Sequence, residues 1–108
     1  MAYIRSILGD IDPGEAGVMD THEHLIRIGG GEVTLEGEDY RLASVDAAVQ
    51  ECERFISFGG KTVVEMTPVS LGRDIVKMLE LNHRVPGLHL IATTGLWRVT
   101  WRATCINS

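Results

Sequence analysis

Hydrophobic and polar positions along this chain follow two rhythms, and the switches between them mark its elements. From Gly17 to His24 the period is two: Val18, Asp20, His22 and His24 share one face, with Met19, Thr21 and Leu25 on the other, which predicts a short strand. Ile28 to Tyr40 holds three consecutive glycines and four acids and predicts a loop, in which Val33 and Leu35 form at most a short ribbon. From Ser44 the period turns helical. Ser44 suits an N-cap, Asp46 suits the first turn, and Val45, Ala48, Val49, Cys52, Phe55 and Ile56 draw one apolar stripe until Gly59-Gly60 ends it. Residues 61–67 (KTVVEMT) are rich in β-branched side chains and are closed by Pro68, a second strand. Leu71, Ile75, Met78 and Leu79 repeat at helical spacing until Asn82 to Gly87 stops them, and residues 88–93 (LHLIAT) read as a third strand.

The predicted order is βαβαβ, in which each helix crosses over to set the next strand parallel to the last. A small doubly wound sheet accepts this order, and so does the opening of a (β/α)8 TIM barrel. Length separates the two: a barrel usually takes ~250 residues, whereas this chain of 108 offers two βα units and a third strand. If the fold is a barrel, the sequence carries only its truncated first part.

Composition narrows the partners. An apolar fraction of 44% and a charged fraction of 23% are ordinary for a globular protein, and a net charge of −5 argues against nucleic acid, which needs a basic face. No apolar run approaches the roughly 20 residues that span a bilayer, and the apolar start breaks off after Ile7-Leu8, too early for a signal-peptide core. The expected location is the cytoplasm, with no membrane partner. Cys52 and Cys105 lack Cys-x-x-Cys spacing, so they are read as incidental or buried thiols. The glycines at 29–31 are not followed by Gly-Lys-Ser/Thr, which removes the phosphate-loop reading.

Chemistry concentrates in residues 20–25, DTHEHL. Residues i and i+2 of a strand point the same way about 7 Å apart, so His22 and His24 are placed to converge on one ion beyond the strand's end. Imidazole is the commonest ligand of zinc and similar metals, and the carboxyl ends of parallel strands are where such folds do their chemistry. An isolated His-x-His is more often one loop cap and one exposed ring; the context of the pair decides.

That context resembles the amidohydrolase superfamily, and within it the phosphotriesterase-related family. The resemblance runs from Glu15-Ala16-Gly17 into Thr21-His22-Glu23-His24, through residues 59–65 (GGKTVVE) and Leu71-Gly72-Arg73-Asp74, to residues 92–97 (ATTGLW). TatD-like nucleases share an Asp-x-His-x-His start, but the later segments favour the phosphotriesterase group. The resemblance implies a (β/α)8 barrel with two divalent metals, most often zinc, bridged by a carboxylated lysine and a hydroxide, hydrolysing phosphotriester or lactone ester bonds. His22 and His24 match the family's first two ligands, both on the more buried metal. The bridging lysine, two further histidines and the proton-handling aspartate lie on later strands, and nothing here matches them. Lys61 is no substitute, because it opens the second strand and so sits at the end opposite the chemistry.

Other positions carry two readings each. Glu65 shares a face with Val63 and Thr67; it is either a carboxylate that bonds a metal-bound histidine or one that bonds barrel neighbours with no metal role. Trp97 follows the third strand, where the family builds its substrate pocket, and is either a wall of that pocket or ordinary packing. Glu23 is expected to turn away from the histidines. Arg73 and Asp74 are expected to form a loop-fixing ion pair, His83 to assist a helix C-terminus, and His89 to lie at the wrong end of the sheet for metal.

Residues 1–97 thus form the family-like portion, and 98–108 a divergent tail without visible resemblance, as a frameshift or a truncated gene model would leave; an uninterrupted gene with a genuine stop after Ser108 would refute that. Catalytic zinc needs at least three protein ligands, so this chain alone is expected to bind metal weakly and to hydrolyse nothing measurable. Its open sheet edges are expected to drive self-association. Two other classes remain: a non-catalytic fragment that pairs its sheet with another chain, favoured by a discrete metal-free oligomer, and a small independent binding domain, favoured by a cooperative melt of a monomer. A small-molecule ester is the substrate expected of the complete enzyme.

Overall fold

A computed structural model describes residues 2–29 and 41–94 of the chain. The first element is a hairpin of β1 (Ile4–Ser6) and β2 (Gly9–Ile11), paired antiparallel with Ile4 opposite Ile11 and Ser6 opposite Gly9. Sequence reading missed it, because its strands are three residues each and the two-residue connection Ile7-Leu8 has none of the Asn-Gly or Asp-Gly chemistry that announces tight hairpins. The Ser6 hydroxyl donates to the Gly9 carbonyl at 2.6 Å, and Arg5 meets Asp10 across the strands at 3.0 Å. A 3-10 turn, Pro13–Glu15, follows; the Asp12 carboxylate caps it by accepting from the Gly14 N–H at 2.8 Å.

The main unit then runs β3 (Val18–Glu23), α1 (Val45–Ser57), β4 (Gly60–Glu65), α2 (Ile75–Arg84) and β5 (His89–Ala92). The three strands lie side by side in the order β3-β4-β5, all parallel, as the βαβαβ pattern requires. β4 is central and five of its six residues are buried or half-buried, whereas the edge strand β3 has no fully buried residue. The β3–β4 register shifts between Asp20 and Glu23, and the Met66 N–H donates to the Glu23 carbonyl at 2.7 Å, carrying the pairing one step past the strand ends.

Local chemistry fixes the helix starts. The Ser44 hydroxyl accepts from the Ala47 N–H at 3.1 Å, as expected of the predicted cap. α2 starts later than the apolar spacing suggests: Leu71 belongs to a separate 3-10 turn, Val69–Leu71, ended by Gly72 in the left-handed region (φ 90°). Asp74 then caps α2 through its carboxylate, which accepts from the Lys77 N–H at 3.0 Å, and Arg73 donates to the Thr93 carbonyl at 2.5 Å. These bonds take the place of the Arg73–Asp74 ion pair expected from sequence: each side chain is nearer to an unsatisfied backbone group at a helix start or strand end.

One core holds the layers together. Ala48, Val49 and Cys52 of α1 and Met78 and Leu81 of α2 pack with Val63 of β4, Leu90 of β5, and Ile26, Val85 and Leu88. Both helices therefore cover the same face of the sheet. The hairpin is tied to the sheet's far strand, since the Ile7 N–H donates to the Leu90 carbonyl at 2.9 Å. At the opposite end, loops after β3 and β4 meet glycine to glycine. The Ile28 N–H donates to the Gly72 carbonyl at 3.0 Å, and a Cβ on Gly72 would run into the Gly29 backbone.

Candidate metal centre

The two histidines come together at the carboxyl end of β3. His22 is the next-to-last residue of the strand and His24 lies just beyond it; their ring centroids are 5.4 Å apart, meeting edge to face at 67°. The Asp20 carboxylate accepts from the His22 backbone N–H at 3.2 Å, and Glu23 accepts from the His24 N–H at 3.0 Å, so both acids of the motif brace its backbone.

His24 is the more constrained of the pair. Its Nδ1 lies 2.9 Å from the hydroxyl of Thr67, which is 1% exposed. Partial burial lowers its pKa below the ordinary imidazole value. The field of Glu65 opposes that shift, Arg27 and then His22 add to it, and Glu23 opposes it more weakly. The ring is thereby biased toward the neutral form, the one that ligates metals.

Glu65 is buried and serves the backbone. Its Oε2 accepts from the N–H groups of Leu25 (2.8 Å) and Ile26 (2.9 Å), and its Oε1 from the Thr67 N–H (2.6 Å). Its oxygens are thus directed at the backbone of the two residues that follow His24 and at the backbone of Thr67. Val63, on the same strand face, packs in the core with α1 and α2. Lys61 is exposed at the other end of β4, beside Gly17, as expected. Trp97 and the tail 98–108 lie outside the described residues, as does the Val33–Leu35 ribbon.

The donor set fits a divalent ion in kind but not in number. Two imidazoles at one strand tip, one of them with Nδ1 already engaged, are suitable nitrogen ligands; among the described residues no group of three or more His, Cys, Asp or Glu side chains gathers to complete a shell. His24 also borders two hollows, one of about 510 Å³ between β3 and α1 reaching Cys52 and Phe55, the other of about 260 Å³ beside Arg41, Ser44 and Ala47 at the start of α1.

Sequence reasoning missed Thr67. Its signal is the period-two set Val63, Glu65, Thr67, but a threonine before proline reads as a strand end.

Comparison with known proteins agrees with this fold. The model of the phosphotriesterase family matches residues 2–105. A phospho-furanose lactonase of Mycoplasmopsis synoviae is 41% identical over 95 residues, 86% of this chain and 27% of that protein. An aryldialkylphosphatase of Saccharolobus solfataricus is 33% identical over 93 residues, 81% of this chain and 28% of that protein. The crystal structure of an amidohydrolase from Mycoplasma synoviae superposes with a TM-score of 0.82 at 40% identity, covering 86% of this chain and 27% of the other. The chain spans little more than a quarter of the length of the curated relatives it matches.

Proposed function

Because the chain belongs to the phosphotriesterase family, we propose that it forms the first metal-holding corner of a metal-dependent ester hydrolase, with the βαβαβ unit as the opening of a (β/α)8 barrel. The observation that carries this reading is the convergence of His22 and His24, rings 5.4 Å apart, at the carboxyl end of a parallel strand. His22 and His24 would hold one divalent ion, with zinc suited to two neutral imidazoles. Such an ion, when bound, polarises a carbonyl or phosphoryl oxygen and supplies hydroxide near neutral pH. What this chain's own residues do is bind and orient: Asp20 and Glu23 brace the motif, Glu65 anchors the backbone that leaves it, and α1 and α2 pack on β4 and β5. The ester class we favour for the complete enzyme is a lactone, because identity to the phospho-furanose lactonase exceeds identity to the aryldialkylphosphatase, 41% against 33%.

Two ligands alone would hold zinc weakly, and among the described residues no third His, Cys, Asp or Glu side chain gathers with them, so the chain alone is proposed to be inactive. The test is purified chain with added zinc, a lactone and an aryl dialkyl phosphate. Weak zinc binding that disappears in the His22→Ala, His24→Ala variant, with no turnover above buffer, is expected. Zinc binding that survives that variant would refute the ligand assignment, and turnover abolished by chelator and restored by zinc would refute the inactivity.

Self-association belongs to the same proposal. Among the described residues β3 is paired on one side only, and Val18 on that strand is 63% exposed. An unpaired edge with an apolar side chain is a template for another copy. Sedimentation should show a Val18→Lys chain shifted toward monomer; an unchanged distribution would remove β3 as the contact. No helix among the described residues is long and apolar enough to cross a membrane, and the proposed location is the cytoplasm.

A further inference from the structure

A histidine that ligates through Nε2 must carry its proton on Nδ1, and something must hold that proton, or the ring drifts to the Nε2–H form that a free histidine side chain prefers. Metal-ligating histidines are usually fixed in this way by a carboxylate, a carbonyl or water. The residue placed to do it here is a threonine on the neighbouring strand's extension. The Thr67 hydroxyl is 2.9 Å from His24 Nδ1, within the normal N–H···O range. It is buried, so water does not compete for it. Its position relative to the ring is also set from outside. One carboxylate, Glu65, binds the backbone N–H of Thr67 through one oxygen and those of Leu25 and Ile26, the two residues after His24, through the other. The backbones that carry the two partners of the His24–Thr67 contact are therefore tied to a single buried group, which limits how far the two side chains can part.

We infer that Thr67 is the positioning residue for His24: its hydroxyl accepts the Nδ1 proton, locks the ring in the Nδ1–H tautomer and leaves the Nε2 lone pair for a divalent cation. The inference rests on the reading of His24 as a ligand, but its first consequence exists without any metal.

The experiment uses the whole 108-residue chain with 15N-labelled histidine, observed by long-range 1H–15N correlation at about pH 8, above the ordinary imidazole pKa of ~6.5. His24→Gln assigns the signal. The wild-type chain and Thr67→Ser should show His24 as the Nδ1–H tautomer, and Thr67→Val, close in volume but without the acceptor, should move it to mostly Nε2–H. A wild-type His24 already in the Nε2–H form overturns the inference without any variant, as does a Thr67→Val spectrum unchanged from wild type. Zinc affinity, measured by competition with a chromophoric chelator, should fall by about 10- to 100-fold in Thr67→Val and return in Thr67→Ser. Equal affinity in wild type and Thr67→Val also overturns it. If the wild-type chain binds no zinc, the ligand reading fails, while the tautomer shift still decides the role of Thr67.

Discussion

Replacing Glu65 by glutamine leaves the shape of the side chain and removes its ability to face three donors at once. The wild-type carboxylate accepts from Leu25 and Ile26 through one oxygen and from Thr67 through the other. A glutamine turned to keep the first two bonds presents its NH2 group to the Thr67 N–H, donor against donor, in a site that is 1% exposed. Leaving that buried N–H unpaired costs about 1–3 kcal/mol, and turning two charge-assisted bonds into neutral ones loses about 1–2 kcal/mol more. Relief of the buried charge's desolvation offsets part of this, about 1 kcal/mol. The net expectation is a loss of about 1–4 kcal/mol, a large part of the stability of a domain this size. Urea unfolding measures it as a lower midpoint at unchanged slope. Hydrogen exchange should place the damage at the amides of Leu25, Ile26 and Thr67, with α1 amides following only the global loss. A change under about 1 kcal/mol, or exchange that speeds equally everywhere, would show that the carboxylate is not the anchor of the strand tip.

Cys52 is buried, and burial pushes its thiol up to about 12, so near pH 8 only on the order of one molecule in ten thousand carries a thiolate. In a Cys105→Ser chain, a disulfide reagent should react with Cys52 only after denaturant is added; rapid native labelling would contradict this. Gly72→Ala places a side chain in a left-handed backbone and against Gly29, and should destabilise by about 3 kcal/mol through strain and overpacking combined; a midpoint within about 0.5 kcal/mol of wild type would show that the loop contact is not needed. His24 has a lowered pKa in the folded chain, so below about pH 6.5 the unfolded chain takes up a proton that the folded one refuses. Stability should therefore be lost as pH falls from the unfolded value through the folded one, and His24→Gln should flatten that step; an identical pH profile would refute it.

Different parts of this fold were legible in the sequence to different degrees, for physical reasons. α1 was read nearly to the residue, since a capping serine, an apolar stripe and a glycine stop are all local signals. The three main strands were read with ends shifted by one or two residues, because β-branched runs announce extended chain but not where pairing stops. The hairpin was not read, because what steadies it, the Ile7 to Leu90 bond, is made with the other end of the described chain. The histidine pair was legible since period-two alternation within one strand decides it. Thr67 was not, because its contact with His24 depends on the register between two strands, and that register slips by an irregularity between Asp20 and Glu23. The Glu65 anchor was half legible: its burial followed from the strand face, but the identity of its partners came from the turn after His24.

The bond from Ile7 to Leu90 has a bearing on the order in which a growing chain takes shape. Residues 4–11 leave the ribosome well before β5, the strand that seats them. Throughout translation of the intervening helices the hairpin has no seat, and two short strands without one are marginal in water. Docking of the hairpin must therefore await the arrival of β5, a closure of the slow, long-range kind.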